Sequence, residues 1–377
     1  MPFDASHDQV RITVRRFVER HILPSVNDWE EAGSFPRSLY ETAGKAGILG
    51  IGYEERWGGS GEHDIFMKIA ASEELMRSGS GGLVAGLGSL DIALPPIAKW
   101  AKPAVKARIL PEVIAGKKIA ALAITEAGGG SDVANLVTRA VREGDHYRIN
   151  GSKTFITSGI RADYYTAAVR TGGEGHGGIS LLVVDRDTPG FTRGQPLKKM
   201  GWWASDTAEL FFDDCLVPVD HLIGVENAGF IAIMSNFLME RLSLAIMGYM
   251  TAQLAYDEAL AYARQRQAFG RPISRFQVLK HTLVDMASKV EVARQYTYYA
   301  AELIQAGKNP VKEISIAKNL ATDAADSVSH DAVQIFGGMG YMRGTLVERL
   351  YRDSRILSIG GGTREIMNEI IAKQLGL

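Results

Sequence analysis

The spacing of apolar residues along this chain changes twice, and these two changes restrict the folds that the chain can adopt. Up to about residue 116 apolar positions recur at helical spacing, in segments near 10–22, 37–46, 64–76 and 103–115. Short β-type runs follow as far as about residue 214, and helical spacing returns after Pro218. The sequence therefore predicts helices, then a small β domain, then helices.

The length is sufficient for more than one domain. With 377 residues, two or three domains packed against each other are expected. Boundaries placed where the spacing changes give an N-terminal α-helical domain (1–118), a middle β domain (119–222) and a C-terminal α-helical domain (223–377). The C-terminal helices are long and their connections short, which is typical of an antiparallel bundle.

A tight turn is predicted inside the β domain. Asn150 and Gly151 stand between two β-type runs, and both residues tolerate the positive φ of a type I′ turn. We therefore expect a β-hairpin whose turn lies at these two residues.

Charge and cysteine content exclude several classes of protein. Lys and Arg number 42 against 43 Asp and Glu, so the net charge of -1 offers no general attraction to nucleic acid or to an anionic membrane. The single Cys215 cannot form an intrachain disulfide, and residues 1–20 lack the apolar run of a signal peptide. No Cys and His set has zinc spacing. We expect a cytoplasmic protein without a metal site.

The longest apolar stretch, residues 231–250, carries an adjacent charge pair at its centre, Glu240 and Arg241. Central charges are costly in lipid, so a helix buried in protein is favoured over a membrane span. Neighbouring helical side chains point about 100° apart, and the two charges cannot be assumed to neutralise each other. A buried, unpartnered carboxylate has a raised pKa, which suits a general base. A structural ion pair with another helix remains the alternative.

Three glycine-rich segments could approach a phosphate or a planar ring closely. They are residues 125–132 (TEAGGGSD), 334–341 (QIFGGMGY) and 359–365 (IGGGTRE). In the third, Thr363 stands near the start of a predicted helix, where an anion or a carbonyl acceptor could bind. Generic loops and helix capping are the alternatives, since none of the three is a Walker or GxGxxG motif.

Taken together and in this order, the motifs resemble those of the acyl-CoA dehydrogenase family over essentially the whole chain. The family pattern T-E-P-G-A-G-S-D is similar to residues 125–132, K-x-W/F-I-T-N/S-G to 153–159, R-x-x-F-G-x-P-I to 266–273 and Q-x-x-G-G-x-G-Y to 334–341. The resemblance implies an α+β fold: an α-helical domain, a β-barrel-like domain and a C-terminal four-helix bundle. It also implies a homotetramer with one FAD in each subunit.

The resemblance assigns five residues to the FAD of their own subunit. Thr125 and Ser131 would hydrogen-bond the flavin or its phosphates, and Ser131 would also reach the substrate. Phe155 would pack against the isoalloxazine ring and Thr157 would approach its N5 edge. Thr363 would complete the flavin contact.

Five further residues would reach FAD from elsewhere in the assembly. By resemblance, Arg266, Phe269 and Gln277 would contact the FAD of a neighbouring subunit, with Arg266 pairing the pyrophosphate. Gln334 and Gly338 would line the adenine end.

The catalytic base is the point at which this sequence departs from most of the family. The usual pattern has Glu immediately before Gly-Thr, where this chain has Gly361. A minority that includes isovaleryl-CoA and long-chain acyl-CoA dehydrogenases carries the base on the bundle helix instead, with a small residue before Gly-Thr. Residues 238–242 (LMERL) fit that minority, so the resemblance implies that Glu240 is the base.

In the implied reaction Glu240 removes the pro-R α-proton of an acyl-CoA while the β-hydride passes to flavin N5, giving the trans-2-enoyl-CoA. A ribityl hydroxyl and the backbone N–H of Gly361 would stabilise the enolate. Arg241 and Gly360 would also line the substrate site. Ala127, Asn135 and Gly344 depart from the family pattern in loops without weakening the assignment.

The expected substrate is a long-chain or branched acyl-CoA, and electron transfer flavoprotein is the expected electron acceptor. An acyl-CoA oxidase is one alternative, although oxidases carry additional C-terminal sequence. A flavin monooxygenase or a nucleic-acid-associated relative of the same fold are others. Glu240 argues against the monooxygenase, and the balanced charge argues against nucleic-acid binding.

Overall fold

A computed structural model describes residues 3–61 and 64–377, and its N-terminal part is helical. Within the described residues, helices precede the sheet in this order: α1 (Ala5–His21), α2 (Val26–Ala32), α3 (Ser38–Lys45), α4 (Ile65–Met76), α5 (Gly81–Leu87), α6 (Leu90–Trp100) and α7 (Pro103–Ile114). The Asp4 side chain caps α1 by accepting the N–H of Ser6 and His7. Pro103 stands in the first turn of α7, where its missing N–H costs nothing.

The middle part is one sheet. Its strands in chain order are β1 (Ala120–Ala123), β2 (Arg139–Glu143), β3 (His146–Thr157), β4 (Tyr164–Arg170), β5 (Ile179–Asp185), β6 (Phe191–Arg193), β7 (Thr207–Pro218) and β8 (Leu222–Ile223). Neighbouring strands lie in the order β6-β7-β3-β2-β4-β5-β8, with β1 parallel to β4. The antiparallel pair β4–β5 is buried on both faces, which explains its continuous apolar sequence.

The hairpin predicted at Asn150 and Gly151 is wrong. Both residues lie inside β3, and the chain turns instead between β2 and β3, at residues 144–145. The pairing of β3 with β7 shifts register between Ile149 and Gly151, and Gly151 has φ +143. The Asn150 amide side chain exchanges two hydrogen bonds with Asp214 of β7 (3.1 and 2.8 Å). Gly151 therefore adopts its positive φ in a β-bulge and not in a turn.

The C-terminal part is again helical. After α8 (Gly229–Gln265) the short strands β9 (Gln267–Ala268) and β10 (Arg271–Pro272) pair, and five helices follow: α9 (Gln277–Gln305), α10 (Val311–Phe336), α11 (Gly338–Tyr341), α12 (Leu346–Ser354) and α13 (Arg364–Leu375). Helices α8 and α10 approach closely, since a Cβ on Gly248 would lie 2.8 Å from the Ala321 carbonyl oxygen. The helical, β and helical order and the α+β class are as predicted.

Among the residues that the structure describes, two helical segments are long and apolar enough to cross a bilayer, Gly81–Trp100 and Gly229–Gln265. Within the most apolar window of each, 67% and 50% of the residues are buried inside the protein. The α8 helix packs against α10, α9, α4 and α6. The apolar composition of α8 is therefore used in the protein core, and Glu240 lies within that packed region.

One carboxylate joins the three parts of the chain. Buried Asp353, at the end of α12, accepts the N–H of Gly81 from α5 (3.2 Å) and the N–H of Trp202 from the segment before β7 (2.6 Å). Burial, together with the nearby negative charge of Glu30, raises the pKa of Asp353 to about 7. The α12 segment thereby fixes the position of the helical bundle against the other two parts.

Candidate active site

Glu240 lies in the first half of α8 and forms no ion pair with any described residue. Its Oε2 atom is buried and has no hydrogen-bond partner among the described residues. Burial raises the pKa of Glu240 to about 7, although the positive charges of Arg241 and Lys318 oppose this shift. A carboxyl group with this pKa can accept a proton near neutral pH and hold it, as a general base must.

Gly361 faces Glu240 from the turn that precedes α13. Its backbone has φ +64, a conformation that favours glycine. A Cβ added there would lie 3.6 Å from Glu240 Oε1 and 2.5 Å from Leu244 Cδ1, one helical turn further along α8. The structure therefore brings together the two residues that the sequence analysis linked, although 121 positions separate them along the chain.

Two buried cations hold the glycine turn. Arg241 Nε donates to the Gly361 carbonyl (3.2 Å), and Lys318 Nζ, from α10, donates to the Gly362 carbonyl (2.7 Å). Both side chains bind carbonyl oxygens, so the ion pair considered for Glu240 is not formed within the described chain. Burial, followed by the positive charge of Arg241, lowers the pKa of Lys318 to about 8. Lys318 is therefore an ammonium group at neutral pH.

The remaining polar groups of the turn leave room for a ligand. Among the described residues the Gly361 N–H has no acceptor. Thr363 is the N-cap of α13, and its hydroxyl accepts the Ile366 N–H at 3.3 Å. Gly360 and Gly361 are half-buried, so the turn is partly accessible.

The loop of residues 125–132 is anchored by an ion pair that the sequence analysis did not single out. Buried Glu126 accepts Lys153 Nζ (2.7 Å) and the N–H groups of Val137 (2.6 Å) and Thr138 (3.0 Å). Lys153 also donates to the Ile124 carbonyl. Burial lowers the pKa of Lys153 to about 8, while Glu126 opposes that shift. The pair closes the base of the loop that carries Ser131 and fixes it to β3.

Phe155 and Thr157 stand on the far half of β3, where the strand is irregular. Its pairing with β7 shifts register between Lys153 and Ile156, and Phe155 takes φ +59, which is unusual for a bulky residue. The Phe155 ring is 68% exposed, whereas Thr157 is half-buried. Thr125, on the adjacent segment, accepts the Thr154 N–H through its carbonyl (2.9 Å). An exposed ring beside hydroxyl groups fits a planar cofactor such as flavin.

Five predicted FAD contacts lie away from Glu240 in the same chain. Arg266 ends α8, and 26 residues at 1.5 Å rise place it about 39 Å along the helix from Glu240. Phe269, in the β9–β10 hairpin, is 94% exposed with φ +49. The set is completed by exposed Gln277, Gln334 and Gly338. The assignment of Arg266, Phe269 and Gln277 to a neighbouring subunit's FAD, and of Gln334 and Gly338 to the adenine end, stays a prediction.

Lys318 is the functional candidate that the sequence analysis missed. It lies on α10 among Ile314, Ala317 and Ala321, all buried and at helical spacing. A lysine on the apolar stripe of an amphipathic helix was the available signal, since lysine is rarely fully buried without a role. Its carbonyl partner, 44 residues away, could not be identified from that pattern.

Comparisons with known proteins agree over the whole chain. Three family models match: "Acyl-CoA dehydrogenase, N-terminal domain" at residues 4–117, "middle domain" at 121–215 and "C-terminal domain" at 227–376. An acyl-CoA dehydrogenase of Bacillus subtilis (strain 168) is 39% identical over 97% of this chain and 97% of its own length. The mitochondrial long-chain specific acyl-CoA dehydrogenase of Sus scrofa is 37% identical over 99% of this chain and 87% of its own.

A solved structure has the same fold. The crystal structure of a probable acyl-CoA dehydrogenase from Mycobacterium abscessus superposes with a TM-score of 0.98 and 50% identity, and the match covers 100% of both chains.

Proposed function

The chain belongs to the acyl-CoA dehydrogenase family, whose members are FAD-dependent oxidoreductases, and from this premise we propose that Glu240 is the base of its reaction. The observation that carries the proposal is the position of the Glu240 carboxylate, 3.6 Å from where a Cβ of the side-chain-free Gly361 would lie. The family's usual position for the base is empty of any carboxylate here, and a buried carboxylate faces that position from α8 instead.

The reaction divides between two polar groups of this chain. Glu240 removes the α-proton of the acyl thioester, and the Gly361 N–H donates to the thioester carbonyl as negative charge develops on its oxygen. FAD supplies the acceptor for the β-hydride. The pKa of Glu240 is raised to about 7, so this carboxylate can act as a base near neutral pH.

The proposed substrate is a long-chain or branched acyl-CoA. The half-buried glycines at 360–362 leave the turn beside Glu240 without side chains, which favours a wide substrate over a narrow one. Similarity to the long-chain specific enzyme of Sus scrofa supports a long chain. Arg241 serves this site by holding the Gly361 carbonyl.

The proposed assembly is a homotetramer that passes electrons to electron transfer flavoprotein. Phe269, Gln277 and Gln334 are exposed in a single chain, which suits residues that contact FAD across a subunit boundary. A neighbouring subunit would cover the Phe269 ring, and burying it would offset the cost of exposing so large an apolar side chain.

Anaerobic bleaching of the flavin by a panel of straight and branched acyl-CoAs tests the assignment of Glu240 as the base and the proposed substrate class. The Glu240→Gln variant is expected to bleach at least about three orders of magnitude more slowly, because an essential general base is removed. Glu258→Gln replaces an exposed carboxylate on the same helix by a carboxamide. It is the matched control and should bleach at the wild-type rate. Full activity in Glu240→Gln would exclude this residue as the base.

A further test separates the dehydrogenase from an oxidase. The reduced protein should transfer electrons rapidly to electron transfer flavoprotein and slowly to dissolved oxygen. Rapid reoxidation in air with no response to electron transfer flavoprotein would favour the oxidase.

A further inference from the structure

Two successive carbonyl groups in the glycine turn are each bound by a buried cation, and the two cations come from different helices. Arg241 of α8 binds the Gly361 carbonyl and Lys318 of α10 binds the Gly362 carbonyl. Among the described residues this is the single hydrogen bond of the Lys318 ammonium, and it forms no ion pair there. A buried ammonium group with one neutral partner is costly, so a purely structural role would be served better by a neutral donor.

We propose that Lys318 is a positioning residue of the reaction: with Arg241 it fixes the peptide groups at 361–362, so that the Gly361 N–H stays available to the thioester carbonyl beside Glu240. The inference rests on the proposed function, because it assumes that Glu240 removes a proton from a substrate bound at this turn.

The glycines explain why the turn needs such anchoring. Residues 360–362 are three consecutive glycines, and Gly361 and Gly362 have φ +64 and +99. Glycine populates many backbone conformations, so an unanchored turn of this composition would spend much of its time with the N–H misdirected. A donor that stabilises an oxyanion is effective only when its direction is set before the charge develops.

The two anchors are not equivalent. Arg241 lies next to Glu240 on α8, and its removal would alter the surroundings of the base directly. Lys318 also bears a charge that lowers the pKa of Glu240, but it reaches the turn from α10 and binds the carbonyl of the following residue, so its substitution leaves Glu240 and Arg241 in their helix positions.

Lys318→Met keeps the length of the side chain and removes its donor, while Lys318→Arg keeps a cationic donor. Lys312→Met, in the first turn of the same helix and half-exposed, is the control for loss of a lysine charge. The probe is a 3-thia-acyl-CoA, which has acidic α-protons and no β-hydride to lose. Exchange of its α-protons in D₂O, followed by NMR, reports proton removal without flavin reduction.

Lys318→Met is expected to slow α-proton exchange, and flavin bleaching at saturating acyl-CoA, by about 100-fold per FAD bound, the scale of one lost oxyanion donor. KM should change far less than kcat, because the contact matters most when charge develops. Lys318→Arg should recover part of the exchange rate, and Lys312→Met should match wild type.

Two results separate this inference from the proposed function. Wild-type exchange per bound FAD in Lys318→Met, with exchange abolished in Glu240→Gln, would overturn the positioning role alone. Wild-type exchange in Glu240→Gln would overturn the base assignment and the inference with it. A loss in Lys318→Met that equals its loss of bound FAD would also overturn the positioning role.

Discussion

The carboxylate of Glu240 lies directly beside Gly361: a Cβ on Gly361 would be in van der Waals contact with it, 3.6 Å from Glu240 Oε1. A carboxylate from either position would therefore reach the same small region, one from α8 and the other from the turn before α13. The glycine and the glutamate therefore belong to a single arrangement.

Exchanging the two residues tests this relationship. The Glu240→Gly/Gly361→Glu variant should regain part of the activity that Glu240→Gly lacks, because the carboxylate returns to the same region. Recovery is limited by two costs, the φ of +64 and the 2.5 Å approach of the new Cβ to Leu244 Cδ1. Adding Leu244→Ala should raise the recovered rate of acyl-CoA bleaching. No difference between Glu240→Gly and the double variant would show that the positions are not interchangeable.

The activity should depend on pH through the ionisation of Glu240. Only the carboxylate accepts a proton, and its pKa is raised to about 7, mainly by burial. We expect kcat/KM to fall about tenfold for each pH unit below 7 and to level off above it, since this parameter reports the free enzyme. Measuring kcat/KM from pH 5 to 9 tests this expected profile. A flat profile across pH 6–8, with chemistry shown to be rate-limiting, would contradict a base of this pKa.

The same raised pKa predicts that the base destabilises the fold at alkaline pH. The ordinary Glu pKa of 4.5 applies to the unfolded chain, so the folded protein holds the proton more tightly, and stability falls as pH rises from about 4.5 to about 7. Glu240→Gln removes the free-energy cost of ionising this buried carboxyl group. Its free energy of unfolding should exceed that of wild type by about 1–3 kcal/mol at pH 8, and by far less at pH 4.

Denaturant unfolding at both pH values measures the difference, with Glu258→Gln as the exposed control. An equal effect of Glu240→Gln at pH 4 and pH 8 would show that ionisation is not its cause.

The buried pair of Glu126 and Lys153 should be required for the loop that carries Ser131. Lys153→Met leaves a buried carboxylate unpaired and is expected to lower the free energy of unfolding by about 3–5 kcal/mol. Glu126→Gln/Lys153→Met should be less damaging than Lys153→Met alone, because no uncompensated charge remains. Urea unfolding of the single and double variants, with FAD content measured in parallel, gives the coupling energy between the two residues. Additive effects would mean that the charges do not interact.

Local patterns in the sequence were sufficient for the order of the elements. Helical spacing predicts helices over 228–266 and 312–336, and α8 and α10 begin and end within one residue of these segments, since apolar spacing over many turns reports which face is buried. The placement of a buried carboxylate at position 240 follows from the same pattern, because a charge in the middle of an apolar helix must lie in the core. The order of the motifs was sufficient to identify the family, which the comparisons confirm.

Interactions between distant segments decided the rest. Asn150 and Gly151 have the local chemistry of a turn, yet pairing of β3 with β7 and the bonds to Asp214 place them in a bulge. The sequence determined that the carboxylate of Glu240 lies on a core helix and that Gly361 lacks a side chain. Only the tertiary structure decided that they meet, and that Lys318 holds the neighbouring carbonyl, because contacts across 121 and 44 residues depend on how helices pack and leave no periodic signal in the chain.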